Sequence, residues 1–203
     1  MKIALIGATG FIGSRLLAEL ATRGHAVTAI VRNPEKVPMR AGVIAKKGDV
    51  FDKEGLAILL AGHDAVISAV HFSDSDPAAL LGAVRQSGVK RYLVVGGAGS
   101  LEVAPGIRLF DTPDFPAAYL DEARKGGAFL DLLKQESGLD WSFLSPSAVI
   151  APGERTGSFR LGADQLLVDT AGKSTVSAED YAIALVDELE KPAHIRQRFT
   201  VGY

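Results

Sequence analysis

Short apolar runs alternate with amphipathic segments over the first half of the chain. The runs are typical of strands and lie at residues 3–6, 26–31, 43–45, 64–70 and 91–95. The intervening segments show helical spacing, and helices are predicted over residues 14–21, 53–60 and 77–86. A further helix is predicted to begin at Pro34, with Asn33 as its cap. This alternation predicts parallel strands joined by right-handed helical crossovers. Because the runs are continuously apolar, we expect helices on both faces of the sheet.

The same alternation continues with more interruptions after the fifth strand. Residues 101–113 are typical of a loop, because they contain two prolines and a glycine. A helix is predicted over Ala117–Glu136, with Gly126 and Gly127 as a point of disturbance. A sixth strand follows at residues 141–144.

The last third of the chain predicts a hairpin, a helix and a final strand. Two short runs at residues 158–161 and 165–168 flank a glycine-containing turn, which is typical of a hairpin. Ser177 is the expected cap of the helix, with Asp180 in the reciprocal capping position. We therefore predict one Rossmann-type, doubly wound α/β domain over residues 1–203, with a mostly parallel sheet and helices on both faces.

Composition narrows the possible functions. The chain has 203 residues, of which 47% are hydrophobic and 23% charged, the ordinary balance of a globular domain. It has no cysteine, which excludes disulfides and thiolate chemistry, and its four histidines show no metal-ligand spacing. A net charge of −2 argues against nucleic acid or an anionic membrane as partner. No targeting or membrane-spanning segment is evident, so we expect a cytoplasmic protein that binds no metal.

A glycine-rich turn joins the first strand to the first helix. It reads Gly7-Ala8-Thr9-Gly10-Phe11-Ile12-Gly13. Glycines at this junction allow a tight turn, close approach of the backbone to a pyrophosphate, and close packing of helix against strand. The helix N-terminus supplies amides for the phosphates. The predicted cofactor contacts here are Gly7, Thr9, Gly10, Phe11, Ile12 and Gly13; a glycine turn without a ligand is the alternative.

The end of the second strand indicates which dinucleotide is bound. An acidic residue at this position would bind the 2′-hydroxyl of NAD, but the chain has Val31-Arg32-Asn33. The guanidinium of Arg32 suits a 2′-phosphate. The sequence therefore favours NADPH over NADH, with Arg32 and Asn33 as contacts. A solvated surface arginine is the alternative.

The remaining cofactor candidates follow the later strands. Asp49 and Val50 follow the third strand, where an aspartate beside an apolar residue suits adenine; a helix cap is the competing interpretation of Asp49. Small residues end the fourth and fifth strands and leave room for ribose and nicotinamide. The predicted contacts at this end are Ala69, Val70, Gly96, Gly97 and Pro146. His71 follows the fourth strand. We expect it either to approach the nicotinamide or to be an ordinary loop histidine.

Motifs across nearly the whole chain resemble one known family. They are Gly7–Gly13, Val31–Pro34, Gly48–Val50, Gly88–Arg91, Val95–Ser100, Leu109–Pro116, Leu144–Ser147, Pro152–Gly157, Leu161–Gln165 and Ser177–Ala182. The chain with these motifs resembles the atypical short-chain dehydrogenase/reductases. More narrowly, it resembles the NADH-flavin reductase family related to biliverdin reductase B. The resemblance implies a Rossmann-type fold, NAD(P)H binding and a reductase activity with a flavin as possible substrate.

The catalytic pattern of that superfamily is altered in this sequence. Standard members use a serine beyond strand five and a Tyr-x-x-x-Lys pair on one helical face. Here Ala123 stands four residues after Tyr119, and Lys125 lies six residues on, about 240° around the helix. Tyr119, Lys125 and Ser145 remain the catalytic candidates, with an amphipathic surface helix as the alternative for the first two.

Two main functions remain open from the sequence. The first is NADPH-dependent reduction of a flavin or a similar conjugated acceptor, which needs no protein proton relay. The second is a non-catalytic NADP(H)-binding sensor, and a third is an epimerase or dehydratase. We expect a small-molecule acceptor, bound by residues at about 100–125 and 145–175, and a monomer or homodimer.

Overall fold

A sheet of eight strands forms the centre of the computed structural model, which describes residues 1–203. The strands of the molecule are β1 (Lys2–Ile6), β2 (Ala26–Val31), β3 (Val43–Lys47), β4 (Ala65–Ser68), β5 (Arg91–Val95), β6 (Glu102–Ala104), β7 (Ile107–Arg108), β8 (Asp140–Pro146), β9 (Val149–Ala151), β10 (Arg160–Gly162), β11 (Thr175–Ser177) and β12 (Gln197–Gly202). The helices are α1 (Phe11–Thr22), α2 (Lys53–Leu60), α3 (Pro77–Ser87), α4 (Leu120–Lys134) and α5 (Ala178–Glu190). The eight-stranded sheet has the order β3-β2-β1-β4-β5-β8-β12-β10.

The strand order reverses direction between β1 and β4. All neighbouring strands of the sheet are parallel except β10 and β12. In the register, Ile6 of β1 lies opposite Ile30 of β2 and Ser68 of β4, so the carboxyl ends of these strands are level. The loops that follow β1, β2 and β4 therefore meet at one edge, which is where open α/β sheets bind ligands. The prediction of a doubly wound α/β fold is confirmed.

Apolar residues bury both faces of the sheet. One cluster joins α1 and α5 to the sheet through residues such as Leu16, Leu20 and Tyr181. The other joins α2, α3 and α4 to the opposite face and includes Trp141 and Phe129. Burial on both faces explains why the sequence shows continuously apolar strands without alternation.

The predicted hairpin in the last third of the chain is wrong. Strand β10 pairs antiparallel with β12, and Leu161 lies opposite Val201. Residues 165–168 form no regular strand, although Gln165 makes an isolated bridge to Glu102. The open edge of β12 offers residues 160–162 a ladder of hydrogen bonds within the main sheet, which a two-stranded hairpin in solvent cannot match.

Three local predictions are also corrected. Pro34 begins only a single 3₁₀ turn over Pro34–Lys36, and the side chain of Asn33 does not cap it. The stretch predicted as a loop contains the short β6–β7 ribbon. Ser177 does cap α5 by accepting a hydrogen bond from the Asp180 amide, but the Asp180 carboxylate binds elsewhere and the reciprocal half is missing.

Helix α4 is continuous through its two glycines. It begins after a 3₁₀ turn over Ala117–Tyr119 and runs to Lys134. A Cβ at Gly126 would lie 2.9 Å from the ring of Phe72, and one at Gly127 would lie 3.1 Å from the ring of Phe110. The glycines therefore serve close packing and do not break the helix.

Candidate functional site

One large cavity lies along the carboxyl edge of the parallel strands. Its volume is about 930 Å³, within the upper part of the usual range of about 300–1,000 Å³ for ligand clefts. It is lined by the segments that follow β1, β2, β3, β4, β5 and β8, and by the first turns of α4. An elongated cavity across the β1–β4 reversal matches the place where a dinucleotide binds this fold.

The glycine-rich turn has the geometry that a diphosphate requires. Gly7 has a φ of +82°, and a Cβ there would overlap the carbonyl oxygen of Ala69. Gly10 is the N-cap of α1, and the amides of Phe11 and Ile12 donate to no protein group. Because Gly10, Phe11 and Ile12 line the cavity, unpaired amides at the positive end of a helix face the ligand space. These residues fit the diphosphate of a dinucleotide.

At the β2–β3 side, the cavity is lined by Arg32 and Asp49. Arg32 is exposed and forms no ion pair or side-chain hydrogen bond within the protein. Asp49 accepts a hydrogen bond of 3.0 Å from the amide of Phe51, while Asp52 caps α2 by accepting one from Gly55. The competing interpretation of Asp49 as the cap of α2 is therefore wrong, and its carboxylate is available at the cavity wall.

Most of the other predicted cofactor residues also line this cavity. They are Thr9, Val50, Ala69, Val70, Gly96, Gly97 and Pro146. Gly13 and Asn33 do not line it. A Cβ at Gly13 would overlap the carbonyl of Gly7, so this glycine permits the turn to pack against α1. Asn33 lies exposed after β2, beyond the cavity wall.

The structure does not bring the three catalytic candidates together. Tyr119 lines the cavity at its mouth and is 66% exposed. Lys125 lies outside the lining, and its Nζ forms an ion pair of 2.8 Å with Asp121. Ser145 is fully buried beneath the lining, where its Oγ has no hydrogen-bond partner. Only Tyr119 therefore has direct access to a bound molecule.

A carboxylate that the sequence did not indicate connects α4 to the loop after β4. Glu122 accepts hydrogen bonds of 2.8 Å from the amides of Phe72 and Ser73, and His71 Nδ1 lies 3.4 Å from its Oε1. Burial by itself would raise the pKa of Glu122, but these amides outweigh it and hold that pKa below its usual value. No motif identifies Glu122, because its partners are amides 50 residues away.

The wall around the end near β4, β5 and β8 is mainly apolar and aromatic. It includes Phe72, Phe115, Tyr119, Val149 and Ile150. Of the two segments predicted to hold the acceptor, residues 100–125 contribute several lining residues, whereas the 145–175 segment contributes only its first part, up to Ile150.

No group of three or more His, Cys, Asp or Glu side chains is arranged to hold a metal ion. No helix is long and apolar enough to cross a bilayer.

Comparison with solved structures places the chain among known proteins. A "putative exported protein" from Burkholderia pseudomallei is 51% identical, with a TM-score of 0.90 and full coverage of both chains. A "putative epimerase" from Bacteroides thetaiotaomicron is 46% identical, with a TM-score of 0.95, covering 100% of this chain and 96% of that one. A "putative NADH-flavin reductase" from Streptococcus pneumoniae is 38% identical, with a TM-score of 0.83, covering 100% and 99%.

The family model described as NAD(P)H-binding matches residues 7–192. That range begins at the first glycine of the turn and contains all of the residues that line the cavity except Ile6. The expectation of an NAD(P)H-binding protein is therefore confirmed: this chain belongs to the NAD(P)H-binding family and has an oxidoreductase-type fold.

Proposed function

We propose that this protein is an NADPH-dependent reductase of flavins or similar flat conjugated acceptors. The observation that carries the proposal is a single cavity with two different ends. One end presents the unpaired Arg32, and the other is apolar and aromatic with no Tyr-x-x-x-Lys relay. The Streptococcus pneumoniae relative, named as an NADH-flavin reductase, points to the same chemistry.

The preference for NADPH rests on Arg32. It lies at the end of β2, where the adenosine ribose of a dinucleotide is expected, and no acidic side chain occupies the position that would bind a 2′-hydroxyl. A guanidinium without a protein partner is suited to bind a phosphate through two hydrogen bonds.

The choice of acceptor rests on the missing proton relay. When bound, NADPH supplies a hydride. A ketone substrate would also require a protein proton donor for its developing alkoxide, whereas a flavin or quinone takes its proton from solvent. The exposed mouth of the cavity at Tyr119 gives water access to the acceptor.

The three catalytic candidates have different proposed roles. Tyr119 contacts the acceptor ring at the mouth of the cavity. Ser145 supports the strand end that carries Pro146, since it is buried below the lining. Lys125 acts only through its charge, because it is exposed and paired with Asp121.

Steady-state oxidation of NADPH tests this function. With riboflavin, FMN and a short-chain quinone as acceptors, we expect turnover that requires both NADPH and an acceptor. NADPH binding without oxidation across this panel would support instead the second candidate, a non-catalytic NADP(H) sensor, which the absent relay favours.

An epimerase is the third candidate, which the name of the Bacteroides thetaiotaomicron relative suggests. Sugar nucleotides added to the same assay, with product analysis, would detect it. The cytoplasm is the proposed location because the reaction consumes NADPH. The name of the Burkholderia pseudomallei relative points to export instead, and cell fractionation distinguishes the two.

A further inference from the structure

Charged side chains are distributed unevenly along the cavity. Arg32 is the only lysine or arginine in the lining, and it lies after β2. Three carboxylates line the opposite end: Asp74 in the loop after β4, Asp114 before α4, and Glu122 within α4. The end that would hold the acceptor therefore carries three carboxylates and no lysine or arginine, whereas Arg32 and Asp49 together line the end that would hold the 2′-phosphate.

No lysine or arginine side chain lines this acidic end of the cavity. Asp74 and Asp114 form no ion pair or side-chain hydrogen bond, and both are exposed. Glu122 is held by two backbone amides and lies near His71. The carboxylates of Asp74 and Asp114 therefore line the ligand space without a cationic partner.

Two basic side chains near this end, Lys125 and Arg108, lie outside the lining, and each is close to another carboxylate. Lys125 pairs with Asp121, whose hydrogen bond raises the pKa of the ammonium, and the charges of Glu122 and Asp74 add to the effect. The guanidinium of Arg108 lies 3.7 Å from the carboxylate of Asp131 and stacks over the ring of Phe110.

We propose that the acceptor is an uncharged conjugated ring without phosphate, such as riboflavin, and that the acidic end discriminates against its phosphorylated form. This inference rests on the proposed reductase function. Riboflavin and FMN share the same ring and differ by one phosphate group, whose negative charges would lie in a region of like charge. Apolar and aromatic contacts with Phe72, Phe115 and Tyr119 remain available to both.

The test compares riboflavin with FMN in steady-state NADPH oxidation by the full chain. At about 0.01 M salt we expect the KM for FMN to be about tenfold above that for riboflavin, with similar kcat. At about 1 M salt, where charges more than about 3 Å apart are screened, the ratio should approach one. Equal KM values at low salt, or a lower KM for FMN, would overturn the inference while leaving the reductase function intact.

A charge-reversal variant separates the inference from a merely steric preference. Asp114→Lys should lower the FMN-to-riboflavin ratio of KM values severalfold. The matched control is Asp111→Lys, an exposed carboxylate of the same segment that does not line the cavity, and it should leave the ratio unchanged. An unchanged ratio in Asp114→Lys would also refute the proposal. Absence of turnover with every acceptor would instead contradict the proposed function itself.

Discussion

Replacement of Arg32 by alanine tests how the cavity distinguishes the two dinucleotides. The side chain is exposed, lines the cavity after β2, and has no partner within the protein. Its removal therefore breaks no internal contact and should leave the thermal unfolding temperature within about 1–2 °C of the parent value, as expected of an exposed surface position. Any change in cofactor affinity then reports on the ligand.

The expected magnitude follows from the exposure of Arg32. A hydrogen bond to a charged group contributes about 1.5–3 kcal/mol, whereas an exposed ion pair contributes about 0–1 kcal/mol because solvent screens it. An exposed guanidinium that binds a phosphate through two hydrogen bonds should lie between these limits, at about 1.4 kcal/mol. That free energy corresponds to about a tenfold increase in the KM for NADPH.

The assay measures KM for NADPH and for NADH with one fixed acceptor. In Arg32→Ala we expect the KM for NADPH to rise about tenfold and the KM for NADH to change by less than about twofold. Arg40→Ala removes an exposed arginine outside the cavity and serves as the control for net charge. An equal loss for both cofactors would refute the assignment of Arg32 to the 2′-phosphate.

Three further substitutions test the glycine-rich turn, the Glu122 carboxylate and the ion pair between Asp164 and Arg198. Gly7→Ala should destabilise the fold by about 1–3 kcal/mol in chemical unfolding and abolish NADPH binding, because the positive φ and the nearby Ala69 carbonyl exclude a Cβ; a stable variant that binds NADPH would contradict this. The lowered pKa of Glu122 stabilises the fold above the carboxyl's ordinary value near 4.5, and this contribution is lost as pH falls through the lower folded-state value. Unfolding curves of Glu122→Gln should therefore depend less on pH between about 3 and 6 than those of the parent, and parallel curves would exclude the linkage. Asp164→Ala should lower the free energy of unfolding, measured with urea, by about 3 kcal/mol, because it leaves the buried guanidinium of Arg198 without its carboxylate. A decrease below about 1 kcal/mol would show that the ion pair contributes little to stability.

The glycine-rich turn, the buried sheet and most of the cavity lining could be predicted from short stretches of the sequence. The turn from Gly7 to Gly13 is specified by backbone geometry, since the positive φ of Gly7 and the close contacts at Gly7 and Gly13 exclude a Cβ there. Continuous apolar runs likewise predicted a sheet buried on both faces. Of the 15 residues predicted to contact the cofactor, 13 line the cavity, and the exceptions are Gly13 and Asn33.

Other features depend on residues that are distant in sequence. The interval 158–168 looks like a hairpin locally, but the open edge of β12 captures Arg160–Gly162. Gly126 looks like a helix breaker, but the ring of Phe72 packs against it.

The acidic end of the cavity is also a tertiary property. Asp74, Asp114 and Glu122 belong to separate segments, and only the strand order and the packing of α4 bring them to one wall, opposite Arg32. Thus the sequence by itself determined the fold class and the cofactor turn, because backbone sterics and burial act over a few residues. The tertiary structure alone decided the charge and shape of the acidic end of the cavity, because those depend on which distant segments the folded sheet brings together.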